Sequence, residues 1–123
     1  MRRVIIESPY AGDVDVNVAY ARRAMRDALQ RGESPIASYL LLTHPGVLDD
    51  AIPDERRLGM DAGHAWLEVA DACVAYTDLG ISDDMWRGIE AARQAGVPVE
   101  FRNLGRLTIR LLRLPGRPAN RSA

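Results

Sequence analysis

The pattern of apolar and polar positions along the chain predicts strands that alternate with helices. Apolar residues recur at the three- and four-residue spacing of amphipathic helices in three segments, and short extended runs bounded by Gly, Pro or polar residues separate them. Such an alternation predicts right-handed βαβ units and a sheet covered on both faces. We therefore expect an α/β fold of the Rossmann or flavodoxin-like type, a three-layer sandwich with a short, mostly parallel sheet of four to five strands. The predicted strands are Arg3 to Glu7, Pro35 to Ala37, Ala72 to Thr77 and Val97 to Phe101, and the predicted helices run from about Asp13 or Asp15 to Arg31, from about Asp54 to Val69 and from about Asp83 to Ala95.

Two apolar segments fit more than one structure. Tyr39 to Leu42 fits an extension of the second strand or a buried turn, and Leu107 to Leu114 fits a fifth strand or a short helix. We expect residues 1–104 to form the α/β domain and residues 105–123 to form a basic, partly disordered extension. The residues expected to face the core are Val18, Ala21, Met25 and Leu29 in the first helix and Leu58, Ala62, Ala65 and Leu67 in the second.

The composition is that of an ordinary globular protein. Of the 123 residues, 47% are hydrophobic and 27% are charged, which favours a single domain with one core. No apolar run approaches the roughly 20 residues of a membrane span, and the start lacks a signal-peptide pattern, so we expect a cytoplasmic protein without a membrane partner. The single cysteine, Cys73, lies in an apolar run and is expected to be a core residue. Neither a disulfide framework nor a cysteine-based metal cluster is available.

The basic residues are concentrated towards the C-terminal end. Six of the 16 basic residues follow Glu100, whereas no acidic residue does, and all of the basic residues are arginine. GC-rich coding accounts for an arginine bias of this kind. A tail that contacts nucleic acid phosphates is the alternative, and it is the less favoured interpretation.

Ligands of parallel α/β sheets bind beyond the carboxyl ends of the strands, where the strand order reverses. The segments expected at those ends are Glu7 to Tyr10, Ala37 to Tyr39 and Thr77 to Gly80, which carry hydroxyl and acidic groups. Ser82 to Asp84 supply N-cap chemistry for the third helix, and the free amides and the dipole at a helix N-terminus favour an anion. The long polar loop from Thr43 to Pro53 is interpreted as a lid, because long loops in compact domains are often functional.

Common cofactor and metal motifs are absent from the sequence. The chain has neither a G-x-G-x-x-G segment nor a P-loop, and His44 and His64 lack the spacing of a metal-binding pair. A triad of Ser8, His64 and Asp61 would have no nucleophile elbow around its serine. We therefore expect no cofactor and no metal.

Five short motifs follow one another in a specific order. Over residues 3–101, their order and spacing resemble the nucleoside 2-deoxyribosyltransferase-like superfamily, and most closely a compact bacterial and phage branch of it. The motifs are Ser8-Pro9-Tyr10-x-Gly12-Asp13, Leu48-Asp49-Asp50, Ala70-Asp71, Gly80-x-Ser82-x-x-Met85 and Gly96-Val97-Pro98-Val99.

The resemblance implies a nucleoside or nucleotide ligand. Members of the superfamily cleave or transfer the N-glycosidic bond of nucleosides or nucleoside 5′-monophosphates. A glutamate on the helix before the last strand acts at the anomeric carbon, where a carboxylate suits an oxocarbenium-like transition state. Two serines, matched here by Ser8 and Ser82, hold the 5′-phosphate in the monophosphate hydrolases. The ligand-binding residues implied by the resemblance are Ser8, Pro9, Tyr10, Gly12, Asp13, Asp50, Asp78, Gly80, Ser82, Met85 and Gly88.

Both acidic positions of the superfamily pattern are occupied by glycine in this chain. The nucleophile position is Gly88, and the position of the second acid is Gly63. Glu7 is a candidate replacement, because an acid at the end of a central strand is unusual and its burial would raise its pKa. Glu90 is turned by about 200° from residue 88 around the helix. The candidates for a catalytic role are Glu7, Asp84, Glu90 and His64.

Three functions are compatible with the sequence. The first is a protein that binds a nucleotide or nucleoside derivative and has lost the standard catalyst, as Gly88 indicates. The second is an active N-glycosidase or deoxyribosyltransferase with a relocated carboxylate. The third is a phage or host interaction protein that uses its arginine-rich tail. The resemblance also implies a homo-oligomer, with Trp86 or the Leu107 to Leu114 segment at the interface.

Overall fold

A computed structural model describes residues 1–105, which form a sheet of four parallel strands. The strand order is β2-β1-β3-β4, so the order reverses between β1 and β3. The candidate fifth strand at Leu107 to Leu114 and residues 106–123 of the predicted extension lie outside the described residues. The strands are β1 (Arg2–Glu7), β2 (Glu33–Ile36), β3 (Ala72–Tyr76) and β4 (Val99–Arg102).

Helices cover both faces of the sheet, which confirms the predicted α/β class and its three layers. On one face, α1 packs against the central strands. On the other face lie α4 and a 3₁₀ turn. None of the helices within residues 1–105 is long and apolar enough to cross a membrane. The helices are α1 (Val14–Gln30), α2 (Ser38–Leu42), α3 (Pro53–Ala65), followed by the 3₁₀ turn (Trp66–Val69), and α4 (Asp83–Gln94).

Some element boundaries differ from the sequence prediction. Tyr39 to Leu42 lies in the short helix α2, so it does not extend the second strand. The helix predicted from Asp54 to Val69 is instead α3 followed by the 3₁₀ turn. β4 begins at Val99 rather than Val97, because the Val97 amide donates to the Ala92 carbonyl at 2.8 Å and completes the end of α4.

Small side chains bring α1 close to the sheet. Its buried residues include Tyr20, Ala24 and Ala28, whereas the predicted core residue Leu29 is 53% exposed. The predicted face of α1 was therefore wrong in part, because the helix is rotated so that Tyr20, Ala24 and Ala28 meet the strands. The sheet residues of this core are Val4, Ile6, Ala72, Val74 and Tyr76.

The predicted core face of α3 is wrong. Leu58 is 58% exposed, and Ala62 and Ala65 are exposed as well. Leu67, in the 3₁₀ turn, is buried and packs with Cys73, whose predicted core position is confirmed. The inward face of α3 instead carries small and polar residues, because it borders a cavity rather than the sheet.

An ion-pair network links residues of β1, β2 and β4 across the sheet. Arg102 donates to both carboxylate oxygens of Glu33, each at 2.7 Å, and to the Tyr76 hydroxyl at 3.3 Å. Arg2 donates to the same glutamate at 2.9 Å, and Glu100 accepts from Arg102 at 3.2 Å. The side chains of Arg102 and Glu33 are only 9% and 8% exposed, so this pair is buried. Hydrogen bonds from Arg102 outweigh burial and hold the pKa of Glu33 below its ordinary value.

Candidate functional site

A cavity of about 290 Å³ opens at the carboxyl end of β1. The end of β1 and the start of α4 form one side, and α2, α3 and the loop between them form the other. This is the side of the sheet where ligands of parallel α/β proteins bind. Apolar side chains of the wall include Leu42, Leu48, Met60 and Leu67, and the acidic groups of the wall outnumber its single arginine. The polar side chains of the wall are Glu7, Ser8, Tyr10, Ser38, Tyr39, Thr43, Asp50, Glu55, Arg56, His64, Ser82, Asp83 and Asp84.

The loop after β1 is fixed from behind by a buried asparagine. Asn17 donates to the carbonyl oxygens of Tyr10 and Ala11 at 2.9 and 3.0 Å. The Ser8 hydroxyl is hydrogen-bonded to the Tyr39 hydroxyl, and the Tyr10 ring meets the Tyr39 ring edge-on, with centroids 6.3 Å apart. These contacts hold one hydroxyl and two aromatic rings at the cavity.

The start of α4 is capped by Ser82, as its sequence predicts. The Ser82 hydroxyl accepts from the Met85 amide at 3.2 Å, and its own amide donates to the Met85 sulfur at 3.4 Å. Asp83 and Asp84 occupy the first turn, where acidic side chains favourably offset the positive end of the helix dipole. The helix terminus thus already carries two carboxylates of its own.

Arg56 of α3 ties the far wall of the cavity to α4. Its guanidinium donates to Asp50 at 3.0 Å and also to Asp84, and Asp84 pairs with Arg87 at 3.3 Å as well. Two carboxylates of the wall are thereby neutralised by cations. The loop carrying Asp50 is held against α3 by the same contacts.

Glu7, the last residue of β1, differs from the other acids of the cavity. Its carboxyl has no hydrogen-bond donor and no cation against it within residues 1–105. Burial, reinforced by the negative charge of Asp84, raises the pKa of Glu7 from about 4.5 to about 8. Glu7 is therefore a mostly neutral acid at pH 7 that faces the cavity.

The carboxyl of Glu7 fills the space that a side chain at position 88 would occupy. A Cβ built on Gly88 would lie 2.5 Å from Glu7 Cδ and 2.8 Å from its Oε1, far inside van der Waals contact. Gly88 is buried in the middle of α4, with a helical backbone. The absence of a side chain there is what lets the β1 carboxyl reach the helix.

Gly63, the other glycine at a position where the resemblance implies an acid, also lies against a polar side chain, that of Ser38. A Cβ on Gly63 of α3 would lie 3.3 Å from the Ser38 Cβ and closer still to its hydroxyl oxygen. Ser38 is the first residue of α2, and both residues line the cavity. At both positions where the resemblance implies an acid, a polar side chain from another element occupies the space.

A family model for a domain of unknown function, DUF7768, matches residues 2–102. The chain belongs to the DUF7768 family. No curated protein matches its sequence.

The fold of this DUF7768 protein is similar to that of two solved enzymes. One is a 2-deoxyribosyltransferase from Bacillus psychrosaccharolyticus, with a TM-score of 0.62 and 15% identity over 87% of this chain and 79% of that chain. The other is the CMP N-glycosidase BcmB from Clostridium botulinum, with a TM-score of 0.50 and 14% identity over 90% of this chain and 80% of that chain. The likeness confirms the fold implied by the sequence resemblance.

The structure brings together about half of the site residues predicted for the DUF7768 protein. The ligand-binding candidates on the cavity wall are Ser8, Tyr10, Asp50, Ser82 and Met85, together with the catalytic candidates Glu7, Asp84 and His64. Those that do not line it are Pro9, Gly12, Asp13, Asp78, Gly80, Gly88 and Glu90.

Several of the predicted residues off the wall have structural contacts instead. Asp13 caps α1, accepting from the Val16 amide at 3.3 Å. Asp78 accepts from the Tyr20 hydroxyl at 2.6 Å and from the Leu104 amide at 2.8 Å, so it joins the loop after β3 to the chain beyond β4. Burial acts to raise the pKa of Asp78, but these hydrogen bonds outweigh it and lower the pKa. Glu90 is exposed on α4.

Arg56 is the main wall residue that the sequence reasoning missed. The signal was present, because Arg56, Gly59, Gly63 and Leu67 recur at helical spacing and define the inward face of α3. The apolar residues Leu58, Ala62 and Ala65 lie on the opposite face of α3, which is exposed. No three acidic, histidine or cysteine side chains among residues 1–105 converge to hold a metal ion.

The close approach of Glu7 to α4 predicts an energetic coupling between positions 7 and 88. In a helix interior, Gly88→Ala should stabilise the protein by about 1 kcal/mol through helix propensity, but its methyl group collides with Glu7. We expect the full gain only in a Glu7→Ala background, giving a coupling of about 1–2 kcal/mol in a double-mutant cycle measured by urea denaturation. The matched cycle with the exposed Glu90→Ala should show a coupling below about 0.5 kcal/mol. Equal effects of Gly88→Ala in both backgrounds would contradict the contact.

Proposed function

We propose that this DUF7768 protein binds a nucleoside or a related N-ribosyl derivative in the cavity at the carboxyl end of β1. The observation that carries the proposal is the cavity itself, whose wall contains Ser8, Tyr10, Asp50, Ser82 and Met85 from the motifs that resemble those of the superfamily. Its volume of about 290 Å³ lies near the lower end of small-molecule sites. This size favours one nucleoside-sized ligand.

The chemistry of the wall supports a ligand with a flat apolar part and a hydroxyl-rich part. Leu48, Met60 and the Tyr10 ring offer apolar surface for a base, whereas the carboxylates and hydroxyls of the wall offer acceptors for sugar hydroxyls. The two structural neighbours, a 2-deoxyribosyltransferase and a CMP N-glycosidase, act on compounds of this kind. The interpretation of the loop from Thr43 to Pro53 as a lid over the ligand is supported by Thr43, Leu48 and Asp50, which form part of the cavity wall.

A second candidate function is cleavage or transfer of the N-glycosidic bond of that ligand. It is favoured by one observation, the neutral and unpaired carboxyl of Glu7 in the place of the side chain missing at Gly88. Assembly as a homo-oligomer is a further proposal, supported by the exposure of Trp66 (51%) and Trp86 (46%). A monomer by light scattering would refute it.

Thermal denaturation in the presence of ribonucleosides, 2′-deoxynucleosides and their 5′-monophosphates tests the binding proposal. At least one of these compounds should raise the melting temperature by several degrees, because a ligand that binds only the folded state stabilises it by mass action. Leu48→Trp should abolish the rise by filling the cavity. Val47→Trp, at the neighbouring and 52% exposed position outside the cavity, should retain it. A rise of equal size in both variants, or no rise with any of the compounds, would refute binding in this cavity.

A further inference from the structure

We infer that Glu7 is the catalytic residue of this site, and that its carboxyl, entering from β1 beside Gly88 of α4, acts as a general acid. The inference rests on the proposed function, since it assigns the chemistry performed on the ligand proposed above. It makes the protein an enzyme that cleaves N-glycosidic bonds rather than a binding protein alone.

The first support for the inference is the position of the Glu7 carboxyl relative to α4. The Glu7 carboxyl lies against the α4 backbone at Gly88, in the volume of a residue-88 side chain. The first carbon of a side chain at position 88 would lie where the Glu7 carboxyl now lies, so this carboxyl stands beside the α4 backbone at the base of the missing side chain. A side chain at position 88 and the present placement of the Glu7 carboxyl exclude one another sterically.

The other acids of the site are less suited to the role. Asp84 is paired with both Arg56 and Arg87, so its charge is already compensated. Glu90 is exposed and does not line the cavity. Its carboxyl accepts a hydrogen bond from Gln94 at 3.5 Å. Glu7 and Asp83 are the acids of the wall whose carboxyls have no hydrogen-bond or ion-pair partner within residues 1–105. Asp83 is exposed to solvent, whereas Glu7 is only partly exposed, and an unpaired polar group that is withdrawn from water is costly unless a ligand satisfies it.

The groups around Glu7 favour its protonated form. Asp84 faces it from α4, Tyr39 from α2 and Cys73 from β3, and none of the three is a cation. The arginine of the wall, Arg56, is paired with the carboxylates of Asp50 and Asp84. With a pKa of about 8, the carboxyl is mostly protonated at pH 7 and can act as a general acid.

This arrangement supports hydrolysis in which the Glu7 carboxyl first donates a proton and later accepts one back. The Glu7 carboxyl donates its proton to the base nitrogen as the bond from C1′ to that nitrogen breaks, and the bonding electron pair leaves with the base. Water then attacks the cationic C1′ and forms the new C–O bond. The proton that this water loses returns to the Glu7 carboxylate, so the products are the free base and the free sugar, and the carboxyl is restored.

Release of free base, measured by chromatography over the same compounds, tests the inference. Wild-type protein and the exposed-site control Glu68→Gln should release base at the same rate. Glu7→Gln keeps the size of the side chain but removes the acid, and we expect the rate of base release to fall at least about 100-fold.

The rate of base release by the wild-type protein should also fall about tenfold per pH unit above pH 8, as the carboxyl ionises. The double variant Glu7→Ala/Gly88→Glu should recover part of the release by returning the acid to α4.

Each result separates the inference from the binding proposal. A thermal shift without base release from any compound would overturn the inference and leave binding intact, whereas neither shift nor release would overturn both. Undiminished release by folded Glu7→Gln would also overturn the inference. Should Glu7→Gln fail to fold, the double variant decides: release by that variant supports the inference, and its absence overturns it.

Discussion

Replacing Glu7 with glutamine is expected to raise the free energy of unfolding at pH 7 by about 3 kcal/mol. In the folded protein, burial keeps this carboxyl neutral up to a pKa of about 8, whereas in the unfolded chain it ionises near its ordinary value. Keeping it neutral costs about 1.4 kcal/mol for each pH unit above that ordinary value. Glutamine has a similar shape and no charge to bury, so the variant avoids the cost.

The stability difference between Glu7→Gln and the wild type should depend on pH. Because the folded-state pKa is raised, the stability of the wild type falls as the pH rises from about 4.5 to about 8. The difference between Glu7→Gln and wild type should be near zero at pH 4 and should grow up to pH 8. Glu68→Gln, at an exposed position, should change the stability by less than about 0.5 kcal/mol at any pH. Urea denaturation at several pH values measures all of these differences, and a destabilised Glu7→Gln variant at pH 7 would refute the buried neutral acid.

A site that lowers stability is expected where function requires it. Residues that are retained at a cost to folding are typical of active sites, where replacement gains stability and loses activity. The two effects expected for Glu7→Gln, greater stability and loss of base release, have opposite signs. A residue with only a structural role would lose stability when altered, so the pair of measurements distinguishes the two roles.

Glu33→Gln is expected to destabilise the protein by about 2–3 kcal/mol. The variant leaves the buried Arg102 guanidinium without the carboxylate that it contacts at two points, each 2.7 Å long. Removing one partner from a buried ion pair leaves an uncompensated charge, which typically costs about 3–5 kcal/mol. The remaining contact of Arg102 with Glu100 reduces that cost here.

Glu100→Gln is the matched control within the same network. Its side chain is 36% exposed, so its ion pairs with Arg2 and Arg102 are partly screened and its loss should cost less than about 1 kcal/mol. The pKa of Glu33 is lowered in the folded state, so its contribution is present above about pH 4.5 and is lost as the pH falls. The stability difference between Glu33→Gln and wild type should therefore shrink in acid. Equal losses from the two variants at pH 7 would show that the burial of the pair is unimportant.

Local signals in the sequence were sufficient for most of the framework. Alternating apolar runs and helical spacing predicted the parallel α/β class, and the oxygen side chain of Ser82 predicted the start of α4. Both depend on contacts within a few residues along the chain. The face of α1 and the inward face of α3 were harder, because alanine and glycine are compatible with either side of a helix and only packing decides between them.

The sequence by itself determined the fold class, the loops at the sheet edge and the presence of glycine at positions 88 and 63. Only the tertiary structure decided which side chains occupy the space beside those two glycines. Read along the chain, Gly88 indicates a lost catalyst, and Glu7 is one of several acids. In three dimensions the parallel pairing of β1 beside β3 and the packing of α4 on that face bring Glu7, 81 positions away in sequence, into the space beside Gly88. The reason is physical: a missing side chain is local information, but the group that fills its volume is selected by long-range packing.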